Sequence, residues 1–295
     1  REIHDQVMRD VANRGLPEDD RSLEDGGRGV RAYADAICMY ASIAVDRLAD
    51  RCSTACGWDA SRNTIRNTYA RHAIPMVWEF AEVNPFSDST GNWSSCVDWI
   101  YKVLNNFQTN AIGSVVQENA SAPSSFPPKF VLSTDPPYYD NIPYSNLSDY
   151  FYLWLPRNLS ARMPKLFGTL SVPKFDELVA NRFRHGSKLA AENFFMEGIS
   201  EAFTAMKLHS SDSVPSAIYY AFKQSEVAQE GLSSTGWASF LQALINSGYS
   251  IVGTWPIRTE LANRMRSIGS NALANSVVLV CRKREEQGGI ITRAE

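Results

Sequence analysis

Two consecutive prolines, Pro136 and Pro137, close the short apolar run Phe130-Val131-Leu132-Ser133-Thr134. Proline has no amide to give to a ladder and its ring fixes φ, so a strand begun at Phe130 must stop there and leave the sheet as a rigid turn. The break puts an acid, Asp135, and an aromatic, Tyr138, at the carboxyl end of a buried strand. In open α/β sheets that is where ligands bind. The same four residues also read as an ordinary loop opener whose aromatic covers the core.

The rest of the chain supplies the partners such a strand needs. Val30 to Ala49 carries Ile37, Tyr40, Ala41, Ala44, Val45 and Leu48 at helical spacing, which predicts a long helix with one core-facing stripe. Trp93 to Phe107 reads as a helix with Val97, Ile100, Val103 and Leu104 inward, and Ala111 to Gln117 as a strand. Ala73 to Phe80 is an apolar, aromatic strand or packed loop. Asn146 to Leu155 and Ala190 to Met206 are helical, Val214 to Phe222 a strand, Thr235 to Asn246 a helix, and Tyr249 to Trp255 and Asn275 to Cys281 strands. Strands alternating with helices favour a parallel sheet with crossover helices. The expected organisation is a polar segment and long helix over 1–60, an α/β region over 61–285 and a charged tail over 286–295.

Composition sets limits. At 295 residues and 44% hydrophobic, the chain can bury a substantial core. No apolar run approaches the roughly 20 residues that cross a bilayer, and no signal-peptide pattern opens the chain, so no membrane partner and a cytoplasmic location are expected. Five scattered cysteines fit reduced thiols, and Cys52, Cys56 and His72 match no compact zinc spacing, so no metal is expected. Net charge is −3, which argues against an indiscriminate DNA binder but leaves room for a local basic patch. One lies at Asn181-Arg182-Phe183-Arg184-His185-Gly186-Ser187-Lys188, where Arg182, Arg184 and Lys188 are candidates to hold phosphates; a solvated loop is the alternative. Arg258, Arg264 and Arg266 form a second basic group.

The motif has a specific chemical use. The exocyclic amine of a nucleobase is a poor nucleophile because its lone pair is delocalised into the ring. The Asp135 carboxylate and a carbonyl of the Pro136-Pro137 turn can accept its two N–H bonds and draw the lone pair back to nitrogen. Tyr138 can stack on the ring, a contact of roughly 1–3 kcal/mol in nucleic-acid sites.

Leu132 to Tyr144, with Asp135-Pro136-Pro137-Tyr138 at its centre, resembles the catalytic motif of amino-group DNA methyltransferases. It is most similar to the large prokaryotic adenine-specific DNA methylases that carry a zinc-ribbon insertion. Phe80-Ala81-Glu82-Val83-Asn84-Pro85-Phe86, Tyr220-Ala221-Phe222-Lys223-Gln224-Ser225, Ser234-Thr235-Gly236-Trp237, Trp255-Pro256-Ile257-Arg258-Thr259-Glu260 and Asn271-Ala272-Leu273-Ala274-Asn275-Ser276 fit the same family, so the similarity runs from about Val30 to Lys283.

The resemblance implies the catalytic half of a Rossmann-like methyltransferase fold with an N-terminal helical extension, S-adenosyl-L-methionine as cofactor and DNA as partner. It implies methylation of an exocyclic amine, adenine N6 ahead of cytosine N4. RNA, a protein amide, or a non-catalytic DNA-binding role are the alternatives. Asp135, Pro136, Pro137 and Tyr138 take the catalytic places, and Tyr144 is a second stacking candidate or a core aromatic beside Tyr150 and Phe151. Asp135 and either Glu118 or Asn119 would face the cofactor, unless the latter two cap a turn. The family's glycine-rich methionine-binding loop and zinc ribbon have no counterpart in this sequence. The expectation is therefore a carboxyl-terminal fragment whose cofactor half comes from upstream sequence or a partner chain.

Overall fold

The computed structural model describes residues 2–69, 74, 76–89, 91–107, 111, 113–139, 143–221, 235–257 and 276–284. The chain divides into two compact units interleaved in sequence: Arg1–Gly113 with Tyr144–Lys174, and Ser114–Pro143 with Phe175–Glu295.

The first unit is helical. It contains α1 (Glu2–Val11), α2 (Val30–Ala49), α3 (Trp93–Asn106), α4 (Tyr144–Tyr152), α5 (Leu155–Leu159) and α6 (Pro164–Phe167), with a two-residue antiparallel pair, β1 (Trp58–Asp59) and β2 (Thr64–Ile65). The segment expected to be only polar thus forms a helix, α1, set against α2. The side chain that organises the contact is charged. Asp35 on α2 is buried, and its oxygens meet His4 Nε2 (3.1 Å), the Leu23 amide (3.1 Å) and Arg162 Nε (3.7 Å). Removing those partners would strand an uncompensated buried charge. Farther along, the Tyr150 hydroxyl donates to the Ala49 carbonyl and that of Tyr69 to the Leu147 carbonyl, and the Tyr69, Tyr150 and Phe151 rings contact one another.

The inward stripes read from sequence need correction here. On α2 the buried residues are Ala32, Ala34, Asp35, Ser42 and Ala44, while Tyr40 is exposed. A narrow face of small residues lets the neighbouring elements approach closely, and the larger side chains lie at its margins. On α3 only Cys96 is buried, and Val97, Val103 and Leu104, expected inward, are exposed. The described part of 73–80 is neither strand nor packed loop, since Met76 and Trp78 are fully open to solvent.

Asp46 on α2 has a buried Oδ1 with no hydrogen-bond partner among the described residues, and burial pushes its carboxyl up from 3.8 to about 6. A folded pKa above the unfolded one favours the fold while the group stays protonated, below pH ~4, and that contribution is lost as pH rises through about 6. Asp46→Asn is accordingly expected to stabilise the unit at pH 7.5 by about 1 kcal/mol after allowing for partial solvent screening, roughly 2–4 °C in Tm, and to make little difference at pH 4. Thermal melts at both pH values check this; an equal shift at both would remove the ionisation argument.

The second unit holds β3 (Ser133–Thr134), α7 (Arg182–His185), α8 (Lys188–His209), β4 (Ser216–Ala221), α9 (Thr235–Asn246), β5 (Tyr249–Ile257) and β6 (Ser276–Lys283). Its sheet has the order β3-β4-β6-β5. β3 runs parallel to β4, with Ser133 opposite Ala217 and Thr134 opposite Ile218, and a separate, isolated parallel bridge joins Phe130 to Ser210. β6 is antiparallel to both β4 and β5. The sheet is therefore mixed, where sequence had favoured a parallel one. β5 contains Pro256, which its position at the sheet edge tolerates. The strand expected over 111–117 is not formed among the described residues, and Val115 is 98% exposed.

The core lies between this sheet and α8 and α9. Phe195, Ile199 and Phe203 of α8, Ile218 and Tyr220 of β4, Phe240 and Leu244 of α9, Tyr249 of β5 and Leu279 and Cys281 of β6 form one cluster with Leu132. Each large side chain contributes about 1.5–3 kcal/mol by leaving water. α9 ends at Gly248, whose φ of +86° supplies the left-handed turn into β5. Burial pushes the Cys281 thiol up to about 12, which makes it a packing group. Among the described residues no helix is long and apolar enough to cross a membrane, and no His, Cys, Asp and Glu group could hold a metal ion.

Candidate functional site

The site is built where β3 meets the prolines. Leu132 is buried in the core and its carbonyl accepts the Ala217 amide (2.9 Å), which fixes the strand against β4 up to the point where the prolines end it. Asp135 then emerges exposed, Pro136 is buried, and Pro137 and Tyr138 are half-buried. The acid is thus at the rim of the sheet, not in the core.

Its neighbours hold it. The Tyr138 hydroxyl donates to Asp135 Oδ1 at 2.8 Å, while Oδ2 has no partner among the described residues. Tyr138 packs edge-on against Tyr220 of β4, with ring centres 5.3 Å apart at 80°. Tyr220 in turn stacks on Phe240 at 4.1 Å and lies 5.4 Å from Trp237, both on α9. A core aromatic stack therefore backs the motif's aromatic. Edge-to-face and stacked pairs of this kind contribute about 0.5–1.5 kcal/mol each beyond the area they bury.

Tyr139, the next residue, anchors the turn from the other side. Its carbonyl accepts the Ala180 amide (2.7 Å), its hydroxyl donates to Glu192 Oε1 on α8 (2.8 Å), and its ring meets Phe195 edge-on at 5.2 Å. A Cβ on Gly236, in the first turn of α9, would come within 3.0 Å of the Tyr139 ring and Cβ. Any larger residue there would have to push the Tyr139 side chain aside by a few tenths of an ångström. Neither contact is evident from the sequence of Gly236 or Tyr139; the repeated tyrosine after Pro-Pro is the available signal.

The other candidates are distributed as follows. Glu118 lies in its own turn: its Oε1 accepts the Ser124 amide and hydroxyl and its Oε2 the Ser125 hydroxyl, bonds that hold its carboxyl down at about 2. Asn119 Oδ1 takes the Ser121 amide (3.0 Å) and hydroxyl (2.9 Å). Both side chains thus cap turns within residues 118–125, the second of the two roles open to them. Arg184 is turned to Glu177, Nη1 to Oε2 at 2.7 Å and largely buried, so of the loop's three cations only Arg182 and Lys188 are exposed. Lys188 Nζ lies 3.7 Å from Glu192 Oε1. Tyr144 belongs to the first unit and begins α4 half-exposed, outside the ring cluster of Tyr150 and Phe151. Arg258, Arg264, Arg266, His72, 222–225 and 271–275 lie outside the described residues.

Chemically, the arrangement offers one exposed carboxylate with an available oxygen, a proline turn whose carbonyls have no competing amide of their own, and a half-open tyrosine ring. That set can accept two N–H bonds from a planar amine. No family model matches the chain, and no curated protein or solved structure matches it either.

Proposed function

We propose that the second unit is the base-holding half of an S-adenosyl-L-methionine-dependent methyltransferase that acts on an exocyclic amine of a DNA base, adenine N6 first. The observation that carries this reading is the exposed Asp135 carboxylate at the carboxyl end of β3, held by Tyr138 and followed by a rigid proline turn. Asp135 accepts one N–H of the amine and a turn carbonyl accepts the other, which fixes the nitrogen and favours its tetrahedral form. Tyr138 bounds the ring, with Tyr220 and Phe240 behind it. Holding a reacting atom in this way is worth several kcal/mol when the geometry is tight. The cofactor, when bound, would supply an electrophilic methyl. A duplex hides the amine, so the base must be flipped out at a cost of a few kcal/mol.

The test is transfer of labelled methyl to DNA, RNA and protein, with this chain alone and together with a chain carrying the glycine-rich loop. Label on adenine N6 of DNA supports the reading; label confined to RNA or protein would replace it.

A further inference from the structure

The segment between Ala180 and Glu192 is fixed to the motif at both ends, because Ala180 donates its amide to the Tyr139 carbonyl and Glu192 accepts the Tyr139 hydroxyl. What this short stretch presents is sorted by its folding. Asn181 caps α7 by accepting the Phe183 amide (2.9 Å), and Gly186 ends the helix with a φ of +78°. Arg184 turns inward to Glu177, and His185 stacks on Phe194 at 4.1 Å. Those contacts hold the opposite side of the segment outward. Phe183 is 84% exposed, the Arg182 guanidinium lies over its ring at 4.8 Å, and the Lys188 side chain is also open to solvent.

An exposed phenylalanine gains nothing for the fold. A large aromatic on a tethered, internally cross-linked loop, topped by an arginine and followed by a lysine, has the chemistry of a single-strand nucleic-acid contact: a π-face for a base and cations for the phosphates on either side. We propose that Phe183 is a stacking post for an unpaired base of the DNA strand whose target amine reaches Asp135, with Arg182 and Lys188 on the flanking phosphates. The inference rests on the DNA reading above and adds a named contact to it. It also assigns different work to residues that look alike in sequence, since Arg182 faces DNA and Arg184 braces the loop.

The experiment is equilibrium binding of a short single-stranded oligonucleotide containing 2-aminopurine, compared with an abasic oligonucleotide of equal length. Phe183→Ala is expected to weaken binding of the base-containing strand about tenfold, to abolish the fluorescence quenching and to leave the abasic strand unaffected. Phe183→Trp retains both affinity and quenching. Arg182→Ala lowers the salt slope by about one, and Phe183→Ala leaves it unchanged. Because Phe183 is exposed, its removal leaves the fold intact, and a melt confirms this. Equal binding of both oligonucleotides by the wild type and Phe183→Ala would overturn the stacking post while leaving the DNA reading standing. A wild type that binds neither strand would overturn both.

Discussion

Replacing Asp135 with alanine is expected to reduce methyl transfer by about 10²–10⁴-fold, or roughly 3–5 kcal/mol of transition-state stabilisation, in the assembly that holds the cofactor. The reason is local. Asp135 is the one group of the motif that can accept an N–H with a full charge, and its position at the end of β3 costs the fold little, because the side chain is exposed. The substitution should therefore leave the melting temperature and cofactor affinity near wild type. That combination separates a chemical role from a structural one. Tyr138→Phe refines the point, because it keeps the ring against Tyr220 and removes the bond to Asp135 Oδ1. A loss near tenfold with unchanged stability would show that the hydroxyl positions the carboxylate. Full activity would assign Tyr138 to stacking alone.

The second large effect is on stability. Phe240→Ala is expected to cost about 3–5 kcal/mol, since Phe240 is fully buried and in ring contact with Tyr220, Phe203 and Trp237. In a unit with ordinary marginal stability that is a large share of the total. The consequence reaches the site, because the ring that Tyr138 leans on is the one that loses its partner. Denaturant melts should show the loss, and even below the transition the variant should transfer methyl more slowly than its folded fraction explains. A cost under about 1 kcal/mol would mean that the α9 stack does not brace the sheet as described.

The elements that sequence placed well are those whose signal is local. α2 and α9 begin and end where their periodic patterns do, at Val30–Ala49 and Thr235–Asn246. β3 stops where two prolines require it. Direction is another matter: an apolar strand carries no mark of which way it runs, so the antiparallel insertion of β6 between β4 and β5 could not be read from the run that forms it. α1 was hidden by its polarity, although Val7 and Val11 are one helical turn apart and Val11 is buried. The valines at 115 and 116 show the opposite error, as strand-forming residues without a ladder stay exposed.

The site was legible to a similar depth. The turn of the motif could be read because proline fixes its backbone, whereas the different surroundings of Arg182 and Arg184 depend on Glu177, which packs beside one and not the other. Likewise, the Glu118-Asn119 pair reads as a cofactor contact or as a turn cap, and only the fold shows the nearby serines on its oxygens. Charge and polarity reveal what a side chain is capable of binding; only the fold decides what it meets first.

The most direct test compares two strains whose chromosome encodes this chain, one intact and one with the Asp135 codon changed to alanine, by modification-sensitive sequencing of their DNA. The account predicts N6-methyladenine at a defined set of sites in the first strain and its loss in the second, with equal amounts of protein in both. An identical methylation pattern in the two strains would contradict it.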